Sequence, residues 1–287
     1  MGLTARVPSA ADTAGFVPEQ WSQKIIDAAE NQLPCWDAFD TDRWRSDLKF
    51  GDTINIGVTN HVTATEVVVG TKASSLDIAT GSKLTIVVNQ WYEAPVDVDY
   101  MTLKQSQLDW PTQTQKEAAY AIAKNMDSYI NSLFSSLGGY STSAYGSDGQ
   151  EFTDDLMLYL FQTLREADVP WDGDVSLICD PSTLVDMLKW DKIVASQYGS
   201  IGSTVEGKIG KNVYGAMVRV TNNLTAASTG SYGVLAHKKA IGGVSQMEPT
   251  WVKEYEDLHL RRYSAETLYG VSELRNTYGI PFYTHKA

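Results

Sequence analysis

Two β-type runs separated by a long polar segment set the strongest limit on what this chain can fold into. The first, FGDTINIGV at 50–58, alternates Ile54, Ile56 and Val58 with smaller or polar residues. The second, KLTIVVNQWYEAPVDVDY at 83–100, carries Leu84, Ile86 and Val88 on one parity. Such alternation marks half-buried strands. The stretch between them is rich in Thr, Ser, Gly and Val and is far too long for a tight hairpin turn. With few large apolar side chains it has little with which to fold on itself. The whole of 50–95 reads as an extended two-stranded arm, and an arm needs something outside its own globule to lie on. Its tip is expected to be mobile in a free chain. In an assembly it should order against a neighbour, burying the Val67, Val68 and Val69 run.

Helical patterns flank the arm. Residues 1–17 are small, polar and aperiodic and read as a flexible extension. In VPEQWSQKIIDAAENQL, Trp21, Ile25 and Leu33 recur at helical spacing, with Pro18 suited to the first turn and Pro34 closing the helix. The longest helix is expected in PTQTQKEAAYAIAKNMDSYINSLFSSL. Ala118, Ile122, Met126, Ile130, Leu133 and Leu137 form one stripe, and Gly138-Gly139 stops it. TDDLMLYLFQTLREADVP reads as a further helix with Thr153 as N-cap and acids in the first turn. After Pro170 the pattern becomes strand, turn, helix in DVSLICDPSTLVDMLKW, followed by glycine-punctuated β-type runs to the end. Such parts cannot bury their apolar residues within one compact unit.

Composition narrows the partners. A net charge of -12 argues against wrapping nucleic acid, which needs clustered Lys and Arg. Lys238-Lys239 and Arg261-Arg262 are too small for such a patch. Cys35 and Cys179 are far apart, with no C-x-x-C, and read as two buried thiols in a reducing compartment. No apolar run reaches the roughly 20 residues that span a bilayer, and the N-terminus lacks the apolar core of a signal peptide. A cytoplasmic origin is the expectation.

The chemistry-bearing candidates are weak. GSTVEGKI at 202–209 matches the phosphate-binding pattern G-x-x-x-x-G-K-[S/T] at Gly202, Gly207 and Lys208, but Ile209 replaces the metal-binding hydroxyl. A working loop also needs a strand before it and a helix after it. Here Gly210 and a β-type run follow, and Glu206 would repel a phosphate. His61, His237, His259 and His285 show no metal-ligand spacing. Asp154-Asp155 and the Glu254–Asp257 stretch read as solvated acids. No catalytic, cofactor-binding or metal-binding residue is assigned.

Six phrases in order resemble the major capsid proteins of tailed bacteriophages, which have the Hong Kong 97-type shell fold. FVPEQWSQKIIDAAENQL with FGDTINI is similar to that family's N-terminal arm, first helix and lead-in to its extended loop. VDVDYMTLKQSQLDWPTQTQKEAAYAIAKNMDSYI resembles the approach to its spine helix, and VSLICDPSTLVDMLK the start of its axial domain. GKIGKNVYGAMVRVTNNL resembles the glycine-marked hairpin that ends in Asn-Asn-Leu, and LAHKKAIGGVSQ the strand returning to the peripheral domain. The match runs from about residue 16 to 282. Gly207, Gly210 and Gly215 then read as turn glycines, not phosphate ligands.

The resemblance implies an α+β fold with four parts. These are an N-terminal arm and first helix over 1–49, an extended loop with its return strand over 50–100, a peripheral domain over 101–167 and 249–287, and an axial domain over 168–248. It implies a non-enzymatic coat protein forming pentamers and hexamers around a double-stranded DNA genome, with no cofactor. A scaffolding protein, separate or already cleaved off, and a portal are implied partners. A decoration protein is a further one, and packaged DNA would be touched weakly by an acidic wall. Location would be the virion capsid, reached through the host cytoplasm. Lys72 in the loop has no marked cross-linking partner. An encapsulin-type compartment shell is the alternative within the fold, and a nucleotide-binding enzyme the alternative outside it.

Overall fold

The computed structural model describes residues 33–41, 43–46, 51–59, 64, 66, 69, 81–105, 110–138, 145–190, 212–247 and 250–285. The helix expected from Val17, Val67, Val68, Lys72, His61 and the 202–209 stretch lie outside them.

Two sheets organise the chain. The first is five-stranded, built from β4 (Val175–Cys179), β5 (Asn212–Val213), β6 (Ala216–Val220), β7 (Gly230–His237) and β11 (Gly279–His285), in the order β11-β7-β4-β6-β5. β4 pairs parallel to β6 and antiparallel to β7, so it lies at the centre and all five of its residues are buried. Its alternation is still visible, because the two faces enter different cores. Val175, Leu177 and Cys179 face one, and Ile178 faces the other.

The first core is closed by α4 (Asp154–Glu166) and α5 (Pro181–Leu188). Thr153 caps α4, its side chain accepting the Leu156 N–H, and Met157, Leu160 and Leu164 bury one stripe. Asp180 caps α5 by accepting the Thr183 N–H at 3.0 Å, with Pro181 preset for the first turn. Between β5 and β6 the chain turns through Tyr214 (φ 50°) and Gly215 (φ 83°), the two positive-φ positions of a type I′ hairpin. Gly215 also lies under the Trp171 indole, where a Cβ would come within 2.5 Å of Nε1.

The second sheet is four-stranded. β10 (Leu260–Glu273) pairs with β3 (Gln90–Asp99) on one edge. On its other edge β10 pairs with β9 (Thr250–Tyr255) and β8 (Ile241–Met247) in turn, with a register shift between Leu268 and Tyr269. α2 (Tyr100–Gln105) leads from β3 into the long helix α3 (Trp110–Ser132), which packs on β3 and β10. At 1.5 Å per residue α3 is about 35 Å long. Among the described residues, no helix is long and apolar enough to cross a membrane.

The strand pairing crosses the limits read from the sequence. β8, inside 168–248, joins the four-stranded sheet, while β11, inside 249–287, closes the five-stranded one. The run 83–100 likewise divides at Val88-Asn89 into β2 (Gly81–Val87) and β3. Among the described residues β2 pairs only with β1 (Thr53–Thr59), as a ribbon separate from both sheets. The ribbon base is anchored by Ile54, Ile86 and Val88 against Val244. Away from the base burial fades, to half-buried Ile56, Val58 and Leu84.

Candidate assembly site

The second core joins the two sheets. It combines Ile178, Val234 and Ala236 of the five-stranded sheet with Tyr269 and Val271 of β10, and adds Ile130, Phe134 and Leu137 from α3 and its continuation. The short helix α1 (Cys35–Ala38) plugs it with Cys35, Ala38 and Phe39. Tyr269 stacks on Tyr92 and meets Trp36 and Tyr129 edge-on. Its hydroxyl donates to Asn125 of α3 at 2.8 Å.

A buried polar cluster ties the same junction. The Asp127 carboxylate is 1% exposed and accepts the Cys35 backbone N–H at 2.8 Å. Its other oxygen accepts from Asn131 Nδ2 and Asn223 Nδ2. Asn131 Oδ1 accepts from Cys35 Sγ at 2.9 Å, and Asn131 Nδ2 donates to the Asn223 carbonyl at 2.8 Å. Asn223 Nδ2 also donates to Ser128 Oγ and to the Lys124 carbonyl on α3. Burial raises the Asp127 pKa above its ordinary value. Cys35 and Cys179 are both free and buried, and desolvation pushes both thiols up, with Asp127 adding to the effect at Cys35.

The outer face of the four-stranded sheet is built differently. Trp91 and Trp251 donate their indole N–H groups to the two oxygens of Glu266, at 3.3 and 2.6 Å. Trp91 remains 68% exposed. Arg262 makes a two-pronged contact with Asp97, at 2.6 and 2.7 Å, and lies over the Tyr255 ring. Its hydrogen bonds hold the Asp97 carboxyl below the usual carboxylate range. Ser264 donates to Glu93 at 2.7 Å. Strand-aligned pairs of this kind keep a sheet face ordered without covering it.

The sequence candidates fall in separate places. Gly202, Gly207, Lys208, Ile209 and Gly210 lie outside the described residues, as does the His285 side chain. Asp154 accepts from the Tyr214 hydroxyl at 2.6 Å, while Asp155 is exposed in the first turn of α4. Glu254 pairs with Arg261 across β9 and β10, and Glu256–Leu258 form a short 3-10 turn ended by left-handed His259. His237 is fully buried and within hydrogen-bonding distance of Asp172, at 3.1 Å, with Asp174 close by. Its Nδ1 accepts the Lys239 N–H at 3.1 Å. The proton therefore sits on Nε2 and points at Asp172, so the ring offers no lone pair to a cation. Asp127, Asn131 and Glu266 carry no sequence signal, since buried polar residues in a helix or strand look like surface ones. Asn223 did carry one, as part of the Asn-Asn-Leu phrase.

No protein-family model and no curated protein matches this sequence. Solved structures do. A Mycobacterium phage Che8 structure aligns at 20% identity and TM-score 0.79, over 93% of this chain and 97% of that one. The capsid structure of cyanophage P-SCSP1u aligns at 15% identity and TM-score 0.76, over 100% and 98%. The capsid of a native GTA particle, solved with C5 symmetry, aligns at 11% identity and TM-score 0.72, over 98% and 100%. The chain has the fold of phage capsid subunits.

Proposed function

From a capsid-subunit fold that spans the chain, we propose that this protein is the major capsid protein of a tailed phage. Copies would form pentamers and hexamers that close into an icosahedral shell around double-stranded DNA. The observation that carries the reading is the reach of the fold match, which covers 93% of this chain and 97% of one capsid-fold neighbour. The role is structural and not enzymatic.

On this reading the axial domain, read from the sequence as 168–248, gains β11 and gives up β8, and meets its copies at the capsomer centre. The peripheral domain, read from the sequence as 101–167 and 249–287, gains β8 and gives up β11, while 50–100 is the extended loop lying over a neighbour and 1–49 the arm tying adjacent subunits. The isolated β1–β2 ribbon supports the loop assignment, since a lone two-stranded ribbon is marginal without a surface to lie on. A scaffolding protein and a portal are the expected partners, and DNA contacts would be weak on a chain of charge -12. The protein would reside in the virion, after assembly in the host cytoplasm.

Electron microscopy and mass photometry of the purified chain, alone and with its scaffold, test the proposal. Five- and six-membered rings and closed shells are expected. Monomers alone across all assembly conditions would overturn it.

A further inference from the structure

We infer that the cavity beneath the β1–β2 ribbon receives a carboxylate from a second copy of this chain. The inference rests on the shell-forming reading above. The cavity, of about 260 Å³, lies where the ribbon leaves the body. Trp44 and Leu84 give it apolar walls, while Arg43, Lys239 and Arg275 line it against one carboxylate, Asp40. Among the described residues a chain of net charge -12 thus gathers three cations and one acid around one hollow.

Asp40 does not neutralise the three. It lies 3.4 Å from Arg43, which stays 60% exposed, and it reaches neither of the others among the described ion pairs. Arg275 is held in place by Tyr278, with its guanidinium 4.9 Å from the ring and Nη1 donating to the hydroxyl at 2.9 Å. Most of its donors remain available. Lys239 is exposed, and its ammonium has no acceptor among the described residues. Its backbone is fixed by the N–H donated to buried His237, so the turn that presents the side chain is rigid. Two guanidinium groups and an ammonium around one hollow match a carboxylate, and the apolar wall accommodates the methylenes that carry it.

A second copy is the occupant that charge favours. The sequence holds 35 acids against 23 Lys and Arg, so a neighbouring copy brings carboxylates at high local concentration. Half-buried Val58 and Leu84 of the ribbon overhang the hollow, where a neighbour passing under the ribbon would meet them. DNA fits less well. Backbone binding needs an extended basic track, and the rest of this acidic surface repels it.

Zero-length carbodiimide coupling of shells built from mixed isotope-labelled and unlabelled chains tests the assignment. Lys239 should be joined to an Asp or Glu of a different copy in shells and left uncoupled in monomers. Lys239→Glu combined with Arg275→Glu should raise the concentration needed for assembly by roughly tenfold or more, with the monomer's Tm unchanged. If that pair unfolds the chain, the coupling result on wild type decides alone. Shells in which Lys239 stays uncoupled, or couples only within its own chain, would overturn the inference while leaving the shell reading intact. So would protection of Lys239 from acetylation in DNA-filled particles but not in empty ones, which gives the hollow to phosphate. A wild-type chain that forms no particles sinks both.

Discussion

Asp127 is a nearly buried carboxylate with no lysine or arginine bonded to it among the described residues, held by hydrogen bonds from Cys35, Asn131 and Asn223. Asp127→Asn keeps the shape but turns an acceptor into a donor facing two Asn amides. We predict a loss of about 1–3 kcal/mol at neutral pH, the usual cost of unpaired buried polar groups. The pH dependence has a defined sign. Burial raises the pKa of Asp127, so between its ordinary value near ~3.9 and the raised one the folded chain binds more protons than the unfolded chain. The group's contribution to stability therefore falls as pH rises through that window and grows as pH falls. Because the variant cannot titrate there, the gap between wild type and Asp127→Asn should widen as pH is lowered from 7 toward 4, measured by urea unfolding. A gap that narrows would show that Asp127 stays charged. Asn223→Ala removes donors from Lys124, Asp127 and Ser128 together and should cost a similar ~1–3 kcal/mol. An unchanged denaturation midpoint would mean that the junction does not depend on it.

The helices and strands divide the stability unevenly. Ile130 of α3 is fully buried, whereas Ile122 is only half-buried. Ile130→Ala should cost about 2–5 kcal/mol, and Ile122→Ala clearly less, by thermal or urea unfolding. Equal losses would place both in the core, as the sequence stripe suggested. That stripe was half right, because Asp127 and Asn131 take the inward positions beside Ile130 and meet partners more than ninety residues away. Helical periodicity cannot announce a polar residue whose acceptor or donor is so remote. Elements whose signals are local were legible. Thr153 caps its helix as residue type predicts, whereas Asp180, read only as part of a turn, also proves to be a cap; β4 shows alternation, with its two faces entering two cores. The division of 83–100 was not legible. Its cause is a crossing, where Gly270 of β10 passes so close that a Cβ would lie 2.2 Å from the Val87 carbonyl oxygen. The near-phosphate loop falls outside the described residues, so its glycines stay an expectation.

At the scale of the whole molecule, the exposed faces are where the proposed role must show itself. Trp91 lies largely open on the outer sheet face, beside a carboxylate already engaged by two indoles. Aromatic side chains in such positions commonly mark contact surfaces. Trp91→Phe should leave the monomer's Tm within error and remove part of the blue shift in tryptophan emission on assembly. An identical shift in the variant would put that face outside the contacts. The overall architecture was readable because six phrases stood in a fixed order, but the exchange of β8 and β11 between the sheets was not, since pairing partners leave no trace in local pattern. That exchange has a consequence for the timing of synthesis. β11 brings Ile280 and Phe282 into the first core and covers β7, yet it is translated after every other strand of its sheet. Until it clears the ribosome, Phe152 has Trp190 against it but lacks Phe282, and the β7 edge stands open. A prematurely stopped chain is thus left with an unfinished core and an adhesive edge, a fault that chaperones and proteases can recognise.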